Sequence, residues 1–244
     1  VGNGPELLAV DPSTHTLYTT NFGDNSVSVI DAAAHTVTAI IPVGKGPIGV
    51  AVDPGTHTLY TTNRNDDSVS VIDPATHTVT ATIPVGKGPE LLAVDPGTHT
   101  LYTANFGDDS VSVIDPATHT VTATIPVSKG PVAVAVDPGT HTLYTTNGYD
   151  NSVSVIDAAA HTVTATIPVG KTPIGVAVDP GTHTVYTANR DDNSVSVIDP
   201  ATHTVTATIP VGKTPIGVAV DPGTSTVYTA NFSGNSVSVI EPRR

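Results

Sequence analysis

The chain repeats one pattern every 42 residues, six times in succession, with no insertion to break the period. Three residue types mark the step. They are Pro5, Pro47, Pro89, Pro131, Pro173 and Pro215; Tyr18, Tyr60, Tyr102, Tyr144, Tyr186 and Tyr228; and Asn21, Asn63, Asn105, Asn147, Asn189 and Asn231. A fixed period of this length is typical of architectures in which each repeat is one supersecondary unit that packs against the next. Such close copies indicate recent duplication or deliberate design.

Each repeat contains four short runs with strand patterning, which in the second repeat read IGVAVD, THTLYTTN, SVSVID and TVTATIPV. The segments between them, DPGT, RNDD, DPAT and GKGP, are typical of turns. Ser alternates with Val and Thr with apolar residues, as in half-buried strands, and no window has a helical period. Four antiparallel strands in a unit of about 40–45 residues predict a β-propeller blade. A β-sandwich offers similar strands but needs no strict period.

The composition of the chain excludes several kinds of site and partner. The chain has no Cys, Met or Trp, so the core must be built from Val, Ile, Leu and Ala, and neither disulfides nor thiolate metal sites can form. A net charge of −13 repels phosphate backbones, and no apolar run is long enough for a membrane span. We therefore expect no nucleic-acid partner, no membrane span, no metal and no cofactor.

A Tyr-Thr-Thr-Asn or Tyr-Thr-Ala-Asn element occurs in all six repeats, flanked by VDP, SVSVID and IPVGKxP elements. With these elements the chain resembles the YVTN-family β-propeller repeat of microbial surface and periplasmic proteins. The resemblance implies a propeller whose first strands line a channel, and an extracellular, cell-surface or periplasmic location. Thr stands throughout at the family's Val position, so we expect a more polar environment for that residue.

We predict an all-β protein, a β-propeller that forms one domain over residues 1–244. Its six blades of 42 residues should have four antiparallel strands each, but the sixth repeat ends before the stretch that matches HTVTATIP at 203–210. The last blade should therefore lack its outermost strand and leave Ser236–Ile240 as an edge. We expect a monomer, with an edge-mediated dimer as the alternative, and Arg243–Arg244 should discourage aggregation there.

An Asp-Pro-x-Thr-His-Thr element, or a close variant, places a histidine in the first and third turns of nearly every repeat. The ten histidines are His15, His35, His57, His77, His99, His119, His141, His161, His183 and His203. Metal binding or acid–base catalysis would need converging ligands, whereas the same turn recurs around the chain and Ser225 replaces the histidine of the sixth repeat. We interpret the element as a turn and not as a site.

The loops between the second and third strands, and the starts of the first strands, differ among the repeats. Such positions are not demanded by the shared backbone, so they either recognise something or drift. Exposed aromatic residues beside arginines are typical of interface hot spots, and acids could attract a cation. The candidate binding residues are Glu6, Phe22, Asp24, Arg64, Asp66, Glu90, Phe106, Asp108, Tyr149, Asp150, Arg190, Asp191 and Phe232. The alternative is ordinary polar loops, because Asn, Asp and Gly favour tight turns.

Three functions fit these features. The first is a non-enzymatic binding or scaffold propeller that presents its variable loops to a protein or surface ligand, and we identify no catalytic residue. The second is a lyase-like or metal-dependent enzyme with its site at the channel mouth. The acids Glu6 and Glu90 give this function little support, because they lie two repeats apart. The third is a purely structural or designed repeat scaffold.

Overall fold

The computed structural model describes residues 1–241, and the chain divides into two compact units, Val1–Thr124 and the part from Ile125 onward. In the first unit, blades 1, 2 and 3 are sheets of four strands each in sequence order. Their strands are β1 (Pro5–Asp11), β2 (Thr16–Asn21), β3 (Ser26–Asp31), β4 (Thr36–Pro42), β5 (Pro47–Val52), β6 (Leu59–Asn63), β7 (Ser68–Asp73), β8 (Thr78–Pro84), β9 (Pro89–Val94), β10 (Leu101–Asn105), β11 (Ser110–Asp115) and β12 (Thr120–Pro126), the last of which crosses the boundary.

In the second unit, blades 4 and 5 have four strands and blade 6 has three. The strands are β13 (Pro131–Asp137), β14 (Thr142–Asn147), β15 (Ser152–Asp157), β16 (Thr162–Pro168), β17 (Pro173–Val178), β18 (Val185–Asn189), β19 (Ser194–Asp199), β20 (Thr204–Pro210), β21 (Pro215–Asp221), β22 (Thr226–Asn231) and β23 (Ser236–Ile240). The predicted all-β propeller with six blades and a three-stranded last blade is confirmed. The single domain over 1–244 stays a prediction, and Arg243–Arg244 lies outside the described residues.

The Asp-Pro-x-Thr-His turns hold the first and second strands of a blade together. In blade 2 the Asp53 carboxylate accepts hydrogen bonds from the Gly55 amide at 2.8 Å and the Thr56 hydroxyl at 3.0 Å, and His57 N–H closes the turn on the Asp53 carbonyl at 2.8 Å. His57 has a φ of 59°, in the left-handed region. All ten histidines adopt this conformation, which confirms that the element is a turn.

The core lies between consecutive blades. In the first unit Tyr18, Val27 and Ile41 of blade 1 pack with Leu59 and Ile72 of blade 2. The equivalent residues of blades 2 and 3, and of blades 4 and 5, form the same kind of cluster. Each interface between blades is thus filled by one tyrosine and a set of branched aliphatic side chains, without Trp or Met. Such side chains suit strands that pack face to face.

Every first strand shifts its register against the second strand just after the starting proline. In blade 2 the shift lies between Pro47 and Val50, and the Thr61 hydroxyl donates to the Gly49 carbonyl at 2.7 Å. Thr61 occupies the position where the YVTN family has Val. The expected polar environment is therefore a backbone carbonyl at a β-bulge, for which threonine supplies a donor.

Two apolar faces are exposed in their own units. Leu8 and Val10 of blade 1 are exposed, although the equivalent Val50 and Val52 of blade 2 pack against blade 1. In blade 6, Val237 and Val239 are 61% and 57% exposed. The described residues contain no helix that is long and apolar enough to cross a membrane.

Candidate functional site

The acids at the third position of the variable loops accept hydrogen bonds from backbone amides of the preceding interblade segment. Asp24 accepts from the Asn3 amide, Asp66 from that of Lys45, Asp108 from that of Lys87 and Asp150 from that of Lys129, at 2.7 to 2.9 Å. Hydrogen bonds from the Asn3 backbone and side chain lower the pKa of Asp24. These four predicted binding residues thus fasten each loop to the preceding interblade segment. Among residues 1–241, no group of three or more His, Asp or Glu side chains is arranged to hold a metal ion.

Three other predicted residues meet in the first unit. Arg64 follows β6, Glu90 is the second residue of β9, and Phe106 follows β10. The Arg64 Nη2 atom lies 3.2 Å from the Glu90 carboxylate, and its guanidinium carbon lies 5.8 Å from the centre of the Phe106 ring. Arg64 is 41% exposed and Glu90 is 12% exposed. A cation paired with an acid and stacked on an aromatic ring is fixed in direction, so this cluster presents a pre-organised guanidinium.

Glu90 has an altered titration. Burial raises its pKa, the Arg64 guanidinium lowers it, and Glu6 raises it, with a net rise. Glu6 occupies in blade 1 the position that Glu90 occupies in blade 3. The first unit therefore brings together three of the predicted residues, Arg64, Glu90 and Phe106, which we call the Arg64 cluster, and the charge of Glu6 acts on Glu90.

The second unit provides an internal comparison for the Arg64 cluster. Arg190 occupies the same repeat position as Arg64, but Ile216 stands where Glu90 would be. The Arg190 Nε atom instead donates to Asp191 at 2.9 Å, and Asp191 also accepts from the Thr172 hydroxyl at 2.6 Å. The arginine therefore pairs with its neighbour in sequence, and the predicted residues Arg190 and Asp191 form a local exposed pair, not a cluster.

The four variable-loop aromatic residues differ in exposure. Phe22 and Phe106 are half-buried, whereas Tyr149 is 68% and Phe232 is 70% exposed. Phe232 is the counterpart of Phe106. The two exposed rings lie on different blades of the second unit, and aromatic side chains of this kind are common anchors at interfaces.

The histidines of the first turns have a second role, which sequence reasoning missed. The Nδ1–H of His57 donates to the Asp11 carboxylate of the preceding blade at 3.0 Å, and His99 contacts Asp53 in the same way at 2.9 Å. In the second unit His183 binds Asp137 at 2.8 Å. Each buried aspartate thus closes its own turn and ties its blade to the next. The strict spacing of Asp and His was the available signal, because a turn alone does not require histidine.

Grooves open between blades beside these turns. In the first unit a groove of about 740 Å³ is lined by His15, His57, His77, Tyr18 and Asp31, among others. Similar grooves of about 560 and 470 Å³ lie between blades of the second unit. Their recurrence with the repeat makes them products of blade geometry, so their lining alone does not define a site.

Comparisons with known proteins agree with this architecture. The sequence model of the family described as "YNCE-like beta-propeller" matches residues 54–126, which extend from the first turn of blade 2 to the end of β12. The chain is a six-bladed β-propeller repeat protein. The match over residues 54–126 supports its similarity to the YVTN type.

A solved structure titled Kuenenia stuttgartiensis hydrazine synthase resembles this propeller with a TM-score of 0.68 at 23% sequence identity. The match covers 98% of this chain and 96% of that chain. At this identity the likeness shows the fold alone. No curated protein sequence matches the propeller significantly.

Proposed function

We propose that the chain is a non-enzymatic binding or scaffold propeller that recognises a protein surface through its variable loops, with the Arg64 cluster at the centre of the contact. The observation that carries this proposal is the Arg64 guanidinium, which is held between the Glu90 carboxylate and the Phe106 ring and still 41% exposed. Arginine and aromatic side chains dominate binding energy at protein interfaces. We also propose, from the family resemblance, an extracellular, cell-surface or periplasmic location.

The charge of the chain indicates the kind of partner. The net charge is −13, and Glu6 adds an exposed carboxylate near the Arg64 cluster. A field of this sign attracts basic surfaces and repels acidic ones, and it acts mainly on the rate of association. We therefore propose a basic protein surface whose lysines or arginines face Glu6 and the loop acids, and whose apolar or carboxylate groups meet Phe106 and Arg64.

Selection from a random peptide library displayed on phage tests the proposal. Peptides enriched on the immobilised chain should be basic, and their affinity should fall at least about tenfold for Arg64→Ala, as expected of a hot spot. The matched control is Arg190→Ala, which removes the equivalent arginine where no cluster exists and should leave the affinity unchanged. Equal losses in both variants, or enrichment of acidic peptides, would contradict the proposal.

A lyase-like or metal-dependent enzyme is the second candidate, and the observation in its favour is Glu90. Burial raises the pKa of this carboxyl, which a second acid and an arginine accompany, and such groups serve as general acids or bases. The thermal midpoint with chelator should match that with Ca²⁺, Mg²⁺, Zn²⁺ or Ni²⁺ if the chain is a binding propeller. A saturable rise with one ion that Glu90→Gln abolishes would favour the enzyme.

A further inference from the structure

The ion pair in the Arg64 cluster joins a partly exposed cation to an almost buried acid. The side chains of Arg64 and Glu90 are 41% and 12% exposed, and Arg64 Nη2 lies 3.2 Å from Glu90 Oε1. A buried carboxylate is costly unless close charges and hydrogen bonds replace the water that it loses. Burial raises the pKa of Glu90 by more than Arg64 lowers it, and the charge of Glu6 adds to the rise. Glu90 therefore takes up a proton at a higher pH than an ordinary glutamate does.

The charges that act on Glu90 come from the two preceding blades. Arg64 follows β6 of blade 2, and Glu6 lies on β1 of blade 1. The strands that contact β9, which are β5, β6 and β10, contain no charged residue. The interblade segments before β5 and β9 carry Lys45 and Lys87, but among the described residues the charges that shift Glu90 are those of Arg64 and Glu6.

Arg64 is also held by contacts that do not involve the Glu90 carboxyl. Its backbone amide donates to the Gly46 carbonyl at 3.0 Å, and its guanidinium carbon lies 5.8 Å from the centre of the Phe106 ring. The attraction between a cation and an aromatic ring does not depend on the charge of a third group. Protonation of Glu90 would therefore leave the guanidinium in place and remove its counter-ion.

Arg190 shows what an arginine at this repeat position does when the following blade provides no acid. Ile216 stands where Glu90 would be, and the Arg190 Nε atom donates to Asp191, the next residue in sequence, at 2.9 Å. Arg64 is followed by Asn65, which carries no charge. The neighbour that pairs with Arg190 thus has no equivalent beside Arg64.

The two acids that follow in the same loop are bound to backbone amides. Asp66 accepts from the Lys45 amide at 2.7 Å, and Asp67 accepts from the Gly88 amide at 2.8 Å. These bonds hold both carboxylates against interblade segments. An Arg64 guanidinium that loses the charge of Glu90 is therefore open to a carboxylate from outside the chain.

We infer that the Arg64 cluster is a proton-dependent binding site for a carboxylate group, in which protonation of Glu90 releases the guanidinium to pair with a carboxylate of the partner. The inference rests on the proposed binding role of the cluster and adds the chemistry and the condition of binding. One proton is taken up at Glu90 as one carboxylate binds, so the net charge of the site does not change. Affinity should therefore rise as the pH falls from 7, until the carboxyl group of the ligand is itself protonated.

The titration of Glu90 can be followed in the free protein, because the chain contains only three glutamates, Glu6, Glu90 and Glu241. Protein labelled with ¹³C at the glutamate carboxyl carbon gives one NMR signal for each, and Glu90→Gln identifies that of Glu90. We expect its midpoint to lie above 4.5, the ordinary value, and to rise further in Arg64→Ala, because the guanidinium favours the ionised form. A midpoint at or below 4.5, or one that Arg64→Ala leaves unchanged, would overturn the inference.

N-acetylphenylalanine is the binding probe, since it joins a carboxylate to an aromatic ring that can lie beside Phe106. Its α-carboxyl group titrates near about 3.5 and stays ionised at pH 5. We expect binding, followed by NMR, to be at least about fivefold tighter at pH 5 than at pH 7. The neutral amide of the probe should bind more weakly at both values. Glu90→Gln should bind the acid at pH 7 about as tightly as the parent chain does at pH 5, and it keeps every histidine, so any effect of their charge appears in both proteins.

A loop variant tests whether Arg64 is the receptor. Asn65→Asp copies the arrangement of Arg190 and Asp191, and it should weaken binding of the probe at pH 5 at least about fivefold. Ser233→Asp is the matched control, because it adds the same charge at the same repeat position of blade 6 and should change nothing. No binding of the probe, binding that is independent of pH, or equal binding by Asn65→Asp would overturn the inference.

Failure of the inference is separable from failure of the proposed function. If the probe fails these tests but library peptides still lose affinity on Arg64→Ala, the cluster binds its partner without the proton and only the inference is overturned. If the peptides bind Arg64→Ala and the parent chain equally well, the proposed function is overturned and the inference falls with it.

Discussion

At the residue scale, the histidine of the first turn meets two requirements, one on its backbone and one on its side chain. Its backbone must adopt a positive φ, which glycine or asparagine also tolerates. Its ring must reach the aspartate of the preceding blade, as His57 reaches Asp11. Ser225 shows the alternative: burial raises the pKa of Asp179, but hydrogen bonds from the Gly181 amide and the Ser225 side chain are among those that bring it below its usual value.

Acid should loosen these ties. Burial raises the pKa of Asp11, but hydrogen bonds from Ser13 and Thr14 outweigh it and bring the pKa to about 2. An unfolded aspartate titrates near about 3.9, so between these values the folded state binds fewer protons and acid favours unfolding. The contribution of Asp11 is complete above about pH 4 and is lost as the pH falls through about 2. We expect thermal midpoints measured from pH 7 to pH 2 to fall most steeply below pH 4.

Asp11→Asn is the control for the acid effect. The variant should have a lower midpoint at pH 7, because the amide replaces one acceptor oxygen of the turn with a donor. Its decline below pH 4 should be shallower than that of the parent chain. Parallel declines in the two proteins would show that Asp11 does not contribute to the acid sensitivity.

Threonine at the family's Val position should stabilise the bulge. Thr61→Val removes the donor to the Gly49 carbonyl inside a fully buried site, with little change of shape. An unsatisfied buried acceptor costs about 1–3 kcal/mol, so the free energy of unfolding in urea should fall by about that amount. Thr80→Val is a milder control, since its hydroxyl donates to the Val71 carbonyl at the longer distance of 3.3 Å. An unchanged unfolding energy for Thr61→Val would contradict this account.

At the scale of strands, the blades differ in one link between neighbours. The Thr146 hydroxyl of β14 donates to the Ile174 carbonyl of β17 at 2.7 Å and accepts from the Ala133 amide at 3.1 Å. Blade 5 has Ala188 at this position, so its strand makes no such bond to Ile216 of blade 6. The interface between blades 5 and 6 therefore has one interblade hydrogen bond fewer at this position than the interface between blades 4 and 5.

Ala188→Thr should restore this link. The new hydroxyl would face the Gly175 amide and the Ile216 carbonyl, and blade 2 already accommodates the same pair of residue types in Gly49 and Thr62. A net gain of about 1 kcal/mol is typical of one added hydrogen bond, and it should appear as a higher midpoint in thermal unfolding. Thr146→Ala should cost a similar amount. A lower midpoint for Ala188→Thr would show that the interface cannot admit the side chain.

The strands were predictable from the sequence because alternation and turn residues agree in six copies. The three strands of blade 6 over residues 1–241 follow the same pattern. The Arg64 cluster could not be predicted as a cluster. Arg64, Glu90 and Phe106 come from three different strand ends, and Arg190 shows that the same residue in the same repeat position chooses a different partner when Ile216 replaces the acid. Which residues from different strand ends meet depends on how neighbouring blades pack, and the repeat pattern alone does not give this.

At the scale of the whole molecule, stability should vary from blade to blade. In an array of similar repeats each blade depends mainly on its neighbours. Tyr228 is exposed, whereas the equivalent Tyr144 is buried. We expect amide hydrogen exchange to be faster in β21–β23 than in β13–β15, because exposed segments open at lower free energy. In the first unit β1 should exchange faster than β5. Uniform protection of all these strands would contradict the prediction.

The uniform register of the third and fourth strands also bears on how the chain finds its fold. Nearly the same letters recur in every fourth strand, so no side chain specifies which third strand it should join. The choice rests on the short loop between them, since closing a short loop costs less entropy than closing a long one. During refolding at high concentration, strands of different molecules compete for the same places, and chains that exchange strands become entangled. Low concentration and synthesis from one end are therefore the conditions that favour pairing between strands of the same molecule.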